Sequence, residues 1–241
     1  VQDNYLRLLG TLNRQHFQQR SRELELQARL ANLELATQMQ TSAQEALDVG
    51  RETMATHRMY GLDNPATQEF GTRCLIARRL VERGVRFVQL FTKNQYWDHH
   101  GSIMNRLPES TTKVDQPAAA LVKDLKQRGM LDSTVVHWGG EMGRLPVIQN
   151  DSGTKNFGRD HNTYGFSMWV AGGGFKQGGT YGVTDEFGHR AIENIVNHYD
   201  YHATLFHLFG LDAETVTYKQ NGREQSLLDG QAGKIIPDLL T

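Results

Sequence analysis

Thr134-Val135-Val136-His137-Trp138 is a β-branched and aromatic run that stops at Gly139-Gly140-Glu141. Such a run reads as a strand, and the glycine pair reads as the turn that ends it. An acidic side chain just past a strand's carboxyl end is costly to bury without a partner. A cation, or Arg144 three residues on, would supply one. Working outward, Val85 to Phe91 reads as a second strand, bounded by Gly84, and Phe166 to Ala171 as a third, ended by Gly172-Gly173-Gly174. Helical patterns alternate with these runs. Residues 66 to 83 place Cys74, Leu75, Ala77, Leu80 and Val81 on one side. Asp115 to Arg128 turns Ala119, Leu121, Val122 and Leu125 inward, with Gly129 as its C-terminal cap. Asp200 to Phe209 is a last helix, stopped by Gly210. The alternation predicts an α/β fold of βαβ units, with a largely parallel sheet and helices on both faces.

Ahead of this lies a different composition. Residues 3 to 57 are polar and almost free of breakers, and Leu6, Leu9, Leu12, Phe17, Leu24, Leu26, Leu30, Leu33, Leu35 and Met39 recur at helical spacings. Two or three helices are expected, broken near residues 18 to 22 and 40 to 43. They form either a helical hairpin or a coiled-coil surface. The predicted division is a helical segment over residues 1–60 and an α/β domain over 61–241. Val1 opens within what already reads as helix, so the chain is expected to be the C-terminal part of a longer protein.

Composition excludes several functions. Basic and acidic side chains number 26 and 27, which leaves no electrostatic footprint for nucleic acid or an anionic membrane. No apolar run is long enough to span a bilayer. Cys74 is alone and can form no intrachain disulfide.

Three short runs carry the chemistry: Tyr96-Trp97-Asp98-His99-His100-Gly101, Gly139-Gly140-Glu141-Met142-Gly143-Arg144 and Gly158-Arg159-Asp160-His161-Asn162. Each mixes carboxylate or imidazole with glycine and falls in a loop after a predicted strand, where ligands sit in open α/β sheets. Divalent metals are held by this mixture of oxygen and nitrogen donors. On extended backbone Asp98 and His100 point to one side and can share an ion, while His99 points away. Asp160 and His161 can bind different ions, or Asp160 can orient His161 from behind. Arg159 can hold an anionic oxygen in its fork. His137 and His202 read as structural residues, and the triple glycine belongs to no phosphate-loop motif.

These runs resemble a known family. Leu131 to Arg144 is similar to the strand and loop that sulfatases write as DNTLVIFTSDHG, and Asp200 to Leu211 to a helix late in their catalytic domain. The closer resemblance is to the bacterial domain-of-unknown-function 1501 family, placed in the alkaline phosphatase superfamily. Its WDTHG, GEFGRTP, GRDH and HDLHATILHLLG stand here as Trp97 to Gly101, Gly140 to Pro146, Gly158 to His161, and His198 onward. Leu33 to Gln40 matches too.

The resemblance implies an alkaline-phosphatase-like sheet and a divalent metal centre of zinc, calcium or manganese. In that superfamily two metals flank a Ser, Thr or formylglycine nucleophile. Carried over, Asp98, His100, Glu141, Asp160 and His161 are the metal residues, and Arg144 and Arg159 the substrate-binding ones. The usual Asp-His pair is Glu141-Met142 here, and Met142 is a poor ligand for a hard ion. The nucleophile is expected upstream of this chain, leaving half a site. The implied function is hydrolysis of sulfate or phosphate esters, on a small molecule or a polysaccharide. The alternative is a non-catalytic binding or structural protein of the cell envelope. A periplasmic or cell-surface location follows from the same resemblance; self-association into a homo-oligomer stays open.

Overall fold

The computed structural model describes residues 8–13, 15–16, 28–29, 31–32, 45–93, 95–149 and 156–241. The chain divides into two units, Val1–Thr53 with Arg79–Gln89, and Met54–Arg78 with Leu90–Thr241. In the first unit the described residues between 8 and 47 are helical. The expected breaks near 18 to 22 and 40 to 43 lie outside the described residues, as does the run Leu33 to Gln40. Arg79 organises this unit. Its guanidinium donates to the carbonyls of Ala46 (2.9 Å) and Glu45 (2.5 Å) and pairs with Glu52. Arginine suits this place because one planar fork can satisfy several oxygens at once.

The second unit contains α1 (Met54–Met59), most of α2 (Gln68–Glu82), α3 (Ile103–Gln127) and α4 (His198–Leu208). Cys74, Leu75 and Ala77 of α2 are buried, as their spacing predicts, and Arg78 beside them is only 1% exposed. Arg78 Nε pairs with Asp124 of α3 at 2.9 Å. The same carboxylate accepts from Tyr60 Oη (3.0 Å) and Arg128 Nε (2.8 Å). Burial, then the Asp124 carboxylate, push the Tyr60 hydroxyl above its ordinary range, so it stays a donor.

Helix α3 begins twelve residues before the expected Asp115, because Pro108 and Pro117 lie inside it. Proline inside a helix removes a hydrogen bond and normally marks an end. Its inward face is Ser110, Val114, Pro117, Ala120, Asp124 and Leu125, so Ala120 takes the place expected of Ala119. Gly129 ends the helix at φ +67°, with Gly129 N–H bonding Lys126 O and Met130 N–H bonding Leu125 O. That is the paired hydrogen-bond pattern of a left-handed C-terminal cap.

The strands depart from expectation. β1 (Val136–Trp138) pairs with β4 (Trp169–Ala171), and β2 (Gly143–Arg144) with β3 (His161–Asn162). β5 (Val183–Thr184) pairs with β6 (Ala191–Glu193), and β7 (Thr217–Gln220) with β8 (Arg223–Ser226). Every one of these pairings is antiparallel. The fold is mixed helix and strand, but the largely parallel sheet is not formed. A parallel pair needs a crossover, usually helical, between its strands. Among the described residues between β1 and β4 there is no helix, and β2 and β3 lie there. Val85 to Phe91 forms no strand, and Phe87 and Phe91 are 74% and 65% exposed. β propensity is realised only against a neighbouring strand, and none is beside it.

Helix α4 is capped by Asn197, whose side chain accepts from Asp200 N–H. Tyr201 Oη donates to Nδ1 of His137 on β1 at 2.5 Å, and burial holds His137 below the ordinary imidazole range, hence neutral and accepting. Thr204, fully buried, accepts from the Ile236 N–H and ties the C-terminal segment to α4.

Two outcomes are expected. Burial pushes the Cys74 thiol up to about 12, so iodoacetamide at pH 8 should label it only after unfolding, as read by intact mass. Asp124→Ala strands the Arg78 charge, and urea denaturation should show a loss of about 3–5 kcal/mol. A loss below about 1 kcal/mol would mean that Arg78 does not depend on this pair.

Candidate metal centre

The site is built on the loop between Phe91 and α3, on β2 and on β3. Gln95 and Ser102, both at φ +53°, bracket Asp98 to Gly101. Left-handed backbone at non-glycine residues costs about 1–2 kcal/mol each, and such strain collects at functional loops. Trp97 packs edge-on against Trp138 (5.7 Å between rings), and Trp138 stacks on Trp169 across β1 and β4. All three tryptophans of the chain thus brace the loop from one side.

From the other side comes the run Gly158 to His161. Arg159 N–H bonds the carbonyl of His99 at 3.0 Å. A Cβ on Gly158 would lie 2.1 Å from His100 C and 2.3 Å from His99 O, so only glycine allows this approach. Beyond it, Asn162 is 1% exposed, donates to the carbonyls of Gly165 and His189, and accepts from Tyr164 N–H. The β2–β3 register places Arg144 opposite His161.

The result is convergence on one oxygen. Asp98 Oδ1 lies 2.5 Å from Arg144 Nη1, 2.9 Å from His100 Nε2 and 3.0 Å from His161 Nε2. The two imidazole rings are 4.9 Å apart. Ligand atoms of Asp98, His100 and His161 all lie within 4.8 Å of one another, the one such grouping among the described residues. The hydrogen bond from His161, and with it the Arg144 guanidinium, holds the Asp98 carboxyl below the usual carboxylate range. These partners favour the ionised form of Asp98.

Two neighbours orient the imidazoles. Gln149 Oε1 faces His100 Nδ1 at 2.7 Å. A proton on Nε2 of His100 bonds Asp98, and one on Nδ1 bonds Gln149. Asp160 Oδ1 accepts the His161 N–H at 2.8 Å and lies 3.9 Å from His100 Nδ1. Asp160 thus holds the backbone of His161 and stands near His100, outside the grouping. His99 is buried, its Nε2 without a partner, and takes no part in the grouping. Desolvation, then Arg106 and Arg144, hold it below the ordinary imidazole range.

Other expected residues stand apart. Glu141 is exposed and outside the grouping. Its postulated partner Arg144 turns to Asp98 instead. The Arg159 side chain is exposed and contacts Leu145 O at 3.5 Å. Gln149 went unrecognised in the sequence, where no signal marks it.

The chain matches, over residues 1–240, a family described as a protein of unknown function, DUF1501. The chain belongs to that family. No curated protein and no solved structure matches it. Among the described residues, no helix of this DUF1501 member is long and apolar enough to cross a membrane.

The close approach at Gly158 is open to a direct test. Gly158→Ala should cost about 1–3 kcal/mol in chemical denaturation and shift the imidazole NMR resonances of His100 and His161. Unchanged resonances and stability would show that the two loops are not interlocked there.

Proposed function

We propose that this DUF1501 protein is a metal-dependent hydrolase of the alkaline phosphatase superfamily, acting on sulfate or phosphate esters. The observation that supports this reading is the meeting of one carboxylate oxygen and two imidazole nitrogens, drawn from loops 63 residues apart. Metal–oxygen and metal–nitrogen bonds of about 2.0–2.2 Å put neighbouring ligand atoms roughly 3–3.5 Å apart. The Asp98–His100 and Asp98–His161 separations of 2.9 and 3.0 Å need only slight expansion for that. The donor set suits zinc or manganese; calcium prefers more oxygens.

Asp98, His100 and His161 would hold the ion. When bound, it supplies a Lewis acid that polarises an ester oxygen or lowers the pKa of a water. The protein's own part is positioning. Gln149 fixes the His100 tautomer, and Asp160 fixes the backbone at His161. Arg144, and Arg159 on the surface beside it, offer fork donors to the sulfate or phosphate oxygens. A small-molecule or polysaccharide ester fits this chemistry, and a periplasmic or cell-surface location accords with the family's motifs. Glu141, exposed and outside the grouping, favours the second reading, a non-catalytic envelope protein that keeps the fold and one ion.

Elemental analysis and calorimetry with Zn²⁺, Mn²⁺ and Ca²⁺ distinguish these readings. Binding should weaken at least tenfold in His161→Ala, and about 10-fold in Gln149→Ala, which removes only an orienting partner. Metal-dependent turnover of a chromogenic sulfate or phosphate ester, lost in His161→Ala, identifies the hydrolase. Metal binding without turnover identifies the binding protein, and no binding by the wild type ends both.

A further inference from the structure

We infer that Arg144 serves as the second cation of a one-metal centre, so that the metal and a tetrahedral oxyanion bind there cooperatively through it. This rests on the metal reading above and adds a residue, a stoichiometry and a ligand class to it.

The geometry begins at one oxygen. Arg144 Nη1 lies 2.5 Å from Asp98 Oδ1, the same atom that both imidazoles face. An ion held by Asp98, His100 and His161 would sit about 2 Å from that oxygen. Ion and guanidinium then confront one another across a single carboxylate oxygen, and one negative charge cannot neutralise three positive ones. Arg144 cannot simply withdraw. Its backbone is locked in β2 opposite His161, and Leu145 N–H bonds Asp160 O at 2.8 Å on the next residue. The side chain is 23% exposed, so it is not closed off from solvent. A guanidinium has five N–H donors, and the Asp98 contact uses one of them.

Among the described residues no second grouping of ligand atoms is present for another metal. Glu141 lies outside the grouping, and Met142 is a poor ligand for a hard ion. Arg144 supplies positive charge where a two-metal centre would place its other ion. A tetrahedral dianion bridging metal and guanidinium turns their repulsion into attraction on both sides. Phosphate and sulfate share that shape and charge, and the two are separate arms of the test.

The test is Mn²⁺ binding followed by electron paramagnetic resonance, alone and with saturating inorganic sulfate or inorganic phosphate. Wild type should take up one Mn²⁺ per chain, and the preferred anion should tighten it by roughly 5- to 150-fold. Arg144→Gln should bind Mn²⁺ at least as tightly as wild type without anion, because a repelling charge is gone. Its anion coupling should fall close to onefold. Arg144→Lys should lie between, keeping the charge but not the fork. Two ions per chain, weaker metal binding in Arg144→Gln without anion, or full coupling in that variant would each overturn the inference. If neither variant folds, the wild-type stoichiometry and coupling still decide it. One Mn²⁺ with no coupling sinks the Arg144 inference alone. No Mn²⁺ uptake under any condition sinks the metal reading and this one together.

Discussion

A full positive charge at Arg78, 1% exposed, is the constraint that the second unit is built around. An unpaired ion there would cost several kcal/mol of desolvation, and Asp124 is what makes the position tolerable. Apolar contacts between two helices would tolerate small slips, whereas this pair admits one register of α2 against α3. Tyr60 and Arg128 occupy further lone pairs of the same carboxylate, so three donors from different parts of the chain meet on it. The consequence reaches the candidate site, because α3 starts at Ile103, directly after the loop that carries Asp98 and His100.

From that base the centre is assembled by backbone more than by side chains. Ile103 N–H bonds Phe157 O, Arg159 N–H bonds His99 O, and Gln149 and Gly158 exchange a bridge. These contacts run between loops distant in sequence, and each lies within a few residues of a proposed ligand or its orienting partner. Backbone hydrogen bonds restrict position in a way that long side chains do not, and a metal or anion site needs its donors held within about half an ångström. The strained turns at Gln95 and Ser102 are consistent with that. Their cost is offset by the aromatic packing of Trp97 on Trp138 and by the buried Asn162, which satisfies two carbonyls of the adjoining chain.

What could be read beforehand follows the range of the interactions. Helix α2, helix α4 and the Gly129 cap are local features, set by three- and four-residue spacing and by one glycine, and they stood where the sequence put them. The chemistry of Asp98, His100 and His161 was legible as a donor set. The sheet was not. Strands two to four residues long carry almost no periodicity, and direction of pairing depends on what chain happens to lie alongside. The Asn221-Gly222 hairpin was a missed opportunity. Its residues, at φ +52° and +77°, form the two-residue turn that this dipeptide favours, between β7 and β8. The pairing of Arg144 with His161, and the approach of Gln149 to His100, have no local signature at all.

The electrostatics of Asp98 then explain why one carboxylate can serve such different neighbours. His161 and Arg144 stabilise the anion, which keeps its charge although only about a fifth of the side chain is exposed. Each donor also competes with a metal for the lone pairs of Oδ1. A carboxylate offers roughly four lone-pair directions, so an ion could be accommodated if the imidazoles gave up the protons they share with Asp98 while the guanidinium stayed on the oxygen. Gln149 faces the His100 Nδ1 side, and Nε2 is the nitrogen turned to Asp98. An ion held by Asp98, His100 and His161 would take the place of the two nitrogen-to-carboxylate contacts. What it cannot replace is the charge of Arg144, and an arrangement that retains so much positive charge at a solvent-accessible point is one suited to holding an anion.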